Sequence, residues 1–161
     1  MDETPVVNAS PLIHLTRAGH AELLRVVGDR IAVPQPVADE ILAMGPDDVT
    51  VRFLDRLPWL EVVPPPEVPP AVAAWDLGPG ESSVIAWALA HPSSVAIIDD
   101  LQGRRCALSL HVPLIGTLGI ALLAKRKGAI SQARTVVEEL VSHGMYLSPN
   151  VVDSALALVG E

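Results

Sequence analysis

A chain of 161 residues, half of them apolar, is long enough to close a full hydrophobic core and is not the composition of a disordered segment. The expectation is one domain over residues 1–161. Its 11 basic and 19 acidic residues leave a net charge of −8, which argues against charge-driven, indiscriminate binding of nucleic acid and confines any such chemistry to a local site. The single Cys106 has no internal disulfide partner, and the start Met1-Asp2-Glu3-Thr4-Pro5 lacks the basic and then apolar build of a signal peptide. The longest apolar stretch, 112–124, is broken by Pro113, Gly116 and Gly119 and falls short of the ~20 residues a bilayer requires. A cytoplasmic protein without a membrane segment is expected.

Along the chain the periodicity alternates between strand and helix, the pattern of a βαβ architecture. Pro5-Val6-Val7 reads as a strand ending in Asn8. Ser10 is placed to N-cap a helix with Pro11 at its first position and Leu12, Ile13 and Leu15 inward, stopping near Gly19. A second helix is expected over 20–27, a strand over 31–33, and a helix opened by Pro36 that carries Val37, Ile41 and Met44 to Gly45-Pro46. Residues 47–57 read as a helix and 60–63 as a strand, and Pro64 to Pro70 as a stiff extended connector. The turn Leu77-Gly78-Pro79-Gly80 launches a helix through Leu89, and the run Val95 to Ile98 is a buried strand. Helix 101–110, strand 112–115 and helices 117–127, 131–142 and 149–159 complete the chain.

The strand over 95–98 ends abruptly in Asp99-Asp100, and open α/β sheets bind ligands just beyond the carboxyl ends of their strands. Asn8 ends the first strand in the same way. Glu81 sits in the first turn of its helix, where the helix dipole alone favours a carboxylate. It also shares a stripe with Val84, Ile85 and Ala88, and an inward carboxylate is costly unless paired or bound to a metal. Glu40 lies at the edge of a similar stripe, between Val37 and Met44. Oxygen ligands from four distant segments suit a hard cation such as Mg²⁺ or Mn²⁺. Adjacent Asp99 and Asp100 point to opposite sides, so one of them is structural. Asp100 is placed to N-cap the helix from Leu101, which makes Asp99 the first choice as ligand.

Other features carry less. The five histidines lack zinc spacing, Cys106 reads as a buried inert thiol, and Gly78-Pro79-Gly80 matches no phosphate-loop pattern. Trp59, Trp75 and Trp87 read as core or interface residues, with no base-stacking stripe.

Five stretches in order resemble the PIN-domain nucleases, in the compact prokaryotic branch that includes toxins of toxin–antitoxin pairs. They are Val6-Val7-Asn8-Ala9-Ser10-Pro11-Leu12-Ile13, Val33-Pro34 with Val37-Ala38-Asp39-Glu40-Ile41, Leu77-Gly78-Pro79-Gly80-Glu81-Ser82, Ile97-Ile98-Asp99-Asp100 with Gly103-Arg104, and Pro113-Leu114-Ile115-Gly116-Thr117-Leu118-Gly119. The resemblance implies a three-layer α/β/α sandwich around a central, mostly parallel sheet. It also implies a Mg²⁺- or Mn²⁺-dependent endoribonuclease whose acidic cluster is Asn8, Glu40, Glu81 and Asp99, with Asp100 a further member. The first position is usually Asp in PIN nucleases; Asn8 removes one negative charge. Arg104 and Arg105, with Ser10, are the side chains placed to steady a substrate phosphate, Arg104 being equally suited to hold Asp99 in a salt bridge. RNA, a cognate antitoxin and a second copy of the chain are the expected partners. Two alternatives stand beside the nuclease: an inactive PIN-like interaction module and a Rossmann-like phosphate-handling enzyme.

Overall fold

The structure, a computed structural model, describes residues 4–161; the start of the chain read above for a targeting signal lies partly outside them. Strands β1 (Val6–Val7), β2 (Ile31–Pro34), β3 (Leu60–Val63), β4 (Ala96–Ile97) and β5 (Leu114–Ile115) form one parallel sheet in the order β3-β2-β1-β4-β5. Val6 is paired with Ala32 on one side and Ala96 on the other, so β1 is central. The inner strands are covered on both faces, which is why they read as unbroken apolar runs rather than alternating ones.

Nine α-helices accompany them among the described residues: α1 (Ala9–Arg17), α2 (Gln35–Leu42), α3 (Val49–Arg56), α4 (Pro70–Ala73), α5 (Pro79–Ala90), α6 (Leu101–Ser109), α7 (Thr117–Arg126), α8 (Ala133–Ser142) and α9 (Pro149–Ala157). The chain steps outward from β1 to β2 and β3, then returns across the sheet to β4 and β5. Parallel crossovers are right-handed, so the reversal puts α5 and α6 on the face opposite α1, giving an α/β sandwich. Helix α7 packs against α1, α8 and α9, while α5 lies over β1, β2 and β4. The direction reverses between β1 and β4, and the crevice outside their carboxyl ends is where such sheets accept ligands. The core is continuous, with Leu12, Leu15, Ile41, Ile85, Ile98 and Ile120 fully buried, each stabilising by about 1.5–3 kcal/mol.

Several local expectations are corrected. The first helix starts at Ala9 with Asn8 as its cap, not Ser10, because Asn8 is still extended (φ −81°, ψ 166°). Pro11 then occupies the third helical position, where its missing N–H is one the helix leaves unpaired anyway. The segment after Gly19 is a 3-10 helix, Ala21–Val26, rather than an α-helix; it is closed by i+3 bonds such as Val27 N–H to Leu24 C=O at 3.1 Å. Short segments of this kind commonly close with i+3 bonds. Helix α2 stops at Leu42, leaving Met44 outside it. The proline connector ends in the single turn α4, pinned by buried Val72.

Carboxylates secure several helix starts. Asp100 N-caps α6, its Oδ2 accepting from the Gly103 N–H at 2.9 Å, as the sequence led us to expect. Glu161 closes α8 from outside: Oε2 accepts from Ala133 N–H and Lys125 Nζ, both at 2.7 Å, and Oε1 from Arg134 N–H at 3.0 Å. The Lys125 hydrogen bond, with the two backbone donors, holds the Glu161 carboxyl down from 4.5 to about 2. Its stabilisation is therefore complete above pH 4.5 and is lost as pH falls towards 2. Glu161→Gln should melt below the wild type at neutral pH, with the gap in Tm closing as pH is lowered through that window. A pH-independent gap would contradict this. Asp100→Ala should cost about 1 kcal/mol in denaturant unfolding, and Asp100→Asn much less, since it keeps an acceptor.

Candidate metal centre

Asn8 stands where β1 gives way to α1, at the carboxyl edge of the central strand. It is 3% exposed and makes no capping bond with its side chain. Its Oδ1 is the one buried side-chain N or O atom among the described residues that has no hydrogen-bond partner. Such an atom costs about 1–3 kcal/mol if nothing occupies its lone pairs.

Two other elements meet it at Gly80, in the first turn of α5. A Cβ on Gly80 would lie 3.0 Å from Glu40 Oε2, 3.4 Å from Asn8 Oδ1 and 3.6 Å from Val37 Cγ2. The absent side chain thus leaves room between a carboxylate from α2 and the orphaned amide oxygen. Glu40 itself is exposed, so this hollow opens to solvent from a buried floor.

The next residue, half-buried Glu81, places Oε2 2.9 Å from where a Cβ on Gly78 would sit. Its Cγ lies 3.6 Å from the corresponding point at Gly103, and Asp100 Oδ2 lies 3.7 Å from that point. Glu81 does not share an apolar stripe: α5 buries Gly80, Ser82, Ser83, Val84, Ile85, Ala86 and Ala88, which surround the helix, because α2, α4 and α6 cover what the sheet does not.

Asp99 is turned elsewhere. Oδ1 accepts from the Thr117 N–H at 2.7 Å and Oδ2 from the Thr117 hydroxyl at 2.6 Å, which ties the end of β4 to the start of α7. The positive end of the α7 dipole favours a carboxylate there. Arg104 Nη1 donates to the Ile98 carbonyl at 3.2 Å, and no ion pair with Asp99 is found among the described residues. A Cβ on Gly116 would fall 2.6 Å from Arg104 Nη1 and 3.0 Å from Asp99 Oδ1, so glycine is required for both side chains to lie as they do. Arg105 and Ser10 are exposed.

The acidic residues are therefore arranged as Glu40 with Asn8 around Gly80, Glu81 with Asp100 around Gly103, and Asp99 on Thr117. Among the described residues no three His, Cys, Asp or Glu side chains stand close enough to hold one ion. The oxygen-only donors at Gly80 nevertheless fit a hard cation, because Mg²⁺ commonly binds through one or two carboxylates and keeps several waters. Asn8 Oδ1 supplies the unoccupied lone pairs such an ion takes. Sequence reasoning missed Gly80, Gly103, Gly116 and Thr117. The last was visible as Gly116-Thr117 straight after a strand, beside a strand-end acid. The histidines and Cys106 stay apart: His20 pairs with Glu139 at 2.9 Å, His91 stacks on Trp87 at 3.7 Å, and burial pushes the Cys106 thiol pKa up.

Comparison with known proteins finds one family, described as a PIN domain, whose profile matches residues 4–161. Neither a curated protein nor a solved structure matches the chain. With nearly the whole length matched, and with a parallel sheet carrying Asn8 and Asp99 at neighbouring strand ends, the chain belongs to the PIN-domain family.

Proposed function

We propose that this protein is a divalent-metal-dependent endoribonuclease with its site at Asn8, Glu40, Glu81, Asp99 and Asp100. The fold is of nuclease type, and PIN domains typically depend on a divalent metal. The observation that carries the reading is the buried, unpartnered Asn8 Oδ1 opposite Glu40 Oε2 at Gly80. Asn8 and Glu40 would hold Mg²⁺ or Mn²⁺ directly, with Glu81 from the adjoining turn, while Asp99 would serve the site from Thr117 by anchoring α7. When bound, the ion supplies a water of lowered pKa and neutralises charge on the scissile phosphate.

The rest of the work belongs to the chain. Exposed Glu40 keeps one wall of the site open to substrate. Asp99 fixes the start of α7 and Asp100 the start of α6, which carries Arg104. A guanidinium has five N–H donors and Arg104 spends one on Ile98, which leaves donors to steady a non-bridging oxygen, with Arg105 and Ser10 at the rim. The Asn8 amide lowers repulsion against Glu40 in the metal-free state. In the finer reading the enzyme is a cytoplasmic, homodimeric toxin held by an antitoxin whose basic side chain covers the acids; the ordered motifs support it. No helix among the described residues is long and apolar enough to cross a membrane. Favouring an inactive module are the amide at position 8, the commitment of Asp99 to Thr117 and, among the described residues, the lack of three acidic side chains around one point.

Mn²⁺ should raise the wild-type Tm, by the equivalent of about 2.7 kcal/mol at a hundred times Kd, and support cleavage of single-stranded RNA. Glu40→Gln and Glu81→Gln should melt at or above the wild type without metal, gain less from Mn²⁺, and cleave at least about 100-fold more slowly. Asn8→Asp should bind Mn²⁺ more tightly and lose stability without it. An unchanged Mn²⁺ response in both glutamine variants, or no cleavage by either wild type or Asn8→Asp, would overturn the proposal.

A further inference from the structure

A cavity lies away from the acids. About 610 Å³ in volume, it opens at the amino-terminal edge of the sheet, among the residues that lead into β1, β2 and β4. Among the described residues Arg25, Arg30 and Lys127 line it, with Asp29 as the lining carboxylate. Glu22 and Glu61 meet two of these cations from outside the lining, so it is within the lining itself that basic groups outnumber acidic ones, in a chain whose net charge is −8. We propose that this cavity binds the phosphate group of a small phosphorylated molecule of nucleotide size.

The donors suit that ligand. Lys127 Nζ gives one hydrogen to the Val26 carbonyl at 2.7 Å, which fixes the ammonium against the wall and leaves two hydrogens to donate. Arg30 reaches Glu61 at 3.6 Å and Arg25 reaches Glu22 at 3.8 Å, both at exposed positions where an ion pair is weak and readily exchanged. Arg25 also lies over the Trp59 ring at 5.8 Å, which restricts where its guanidinium points. Forked guanidinium donors beside an ammonium are the groups that recognise phosphate oxygens.

The backbone of the cavity is constrained as well. Ser93 holds φ +79°, a conformation costly for a residue with a Cβ, and strain of this kind gathers at ligand sites. Gly28 lies so close that a Cβ would come within 2.7 Å of the Pro5 ring, so the wall is shaped by glycine. The volume falls in the range of about 300–1,000 Å³ usual for small-molecule sites. A local concavity, rather than a charged groove tracking a strand, favours a small phosphate ester over RNA.

Isothermal titration in EDTA excludes metal-mediated binding at the acids. With pyrophosphate and with ATP as probes, one saturable site per chain is expected, weakening as salt rises. Arg30→Gln, on the exposed rim, and Lys127→Gln, which keeps an amide for Val26, should each weaken binding about tenfold. Glu81→Gln should leave it unchanged, which separates this site from the nuclease reading. Amide shifts of Gly28 and Ser93 on adding pyrophosphate should mark the cavity directly. The proposal is overturned by any of three results: no saturable binding of either probe, wild-type binding by both folded variants, or tighter binding of a short single-stranded RNA through these same residues.

Discussion

An amide oxygen sealed from water without a donor is destabilising by about 1–3 kcal/mol, and the central strand of this sheet ends in one. Asn8 cannot relieve it by capping, because its carboxamide makes no bond to the α1 backbone. Around the point that a Gly80 Cβ would take stand this oxygen, at 3.4 Å, and Glu40 Oε2, at 3.0 Å. A negatively polarised pocket of that kind is satisfied by a cation, and the residues around it make room for one. The cost is carried by a fold whose core is otherwise well satisfied.

Glycines govern that arrangement more than the acids do. Gly80 separates Glu40 from Asn8, Gly103 adjoins Glu81 and Asp100, and Gly116 admits both Asp99 and Arg104. Each lies in the first turn of a helix or just before it, where α5, α6 and α7 leave the carboxyl edge. The acids then divide by what they touch. Asp99 and Asp100 are committed to backbone N–H groups at helix starts, whereas Glu40, with the Asn8 amide, retains free lone pairs. A helix start needs a fixed anion, and an ion site needs an oxygen that is not already occupied; this edge of the sheet holds the anchored anions and, at Asn8, an oxygen without a donor.

Most of this layering was legible in the chain, because buried parallel strands leave continuous apolar runs and helix starts leave Pro and Gly. The β3 boundaries fall where the pattern puts them, while β4 keeps only the middle of the run 95–98 and α5 starts inside the expected turn, at Pro79. What failed depended on tertiary cover. Periodicity placed Glu81 on a stripe, but α5 is enclosed on all sides and has none. It placed Glu40 against Met44, which lies beyond the end of α2. The 3-10 geometry of 21–26 was not legible either, since periodicity marks a helical segment without distinguishing i+3 from i+4 bonding. The pairing of Asp99 with Thr117 depends on β4 and β5 being neighbours.

The most direct test is to locate the ion. Crystals grown with Mn²⁺ and measured at its absorption edge should show an anomalous peak within about 2.0–2.6 Å of both Asn8 Oδ1 and a Glu40 carboxylate oxygen, beside Gly80. A peak confined to Asp99 and Thr117, or none at the Gly80 hollow at saturating Mn²⁺, would contradict the assignment of the orphaned amide oxygen as a metal ligand.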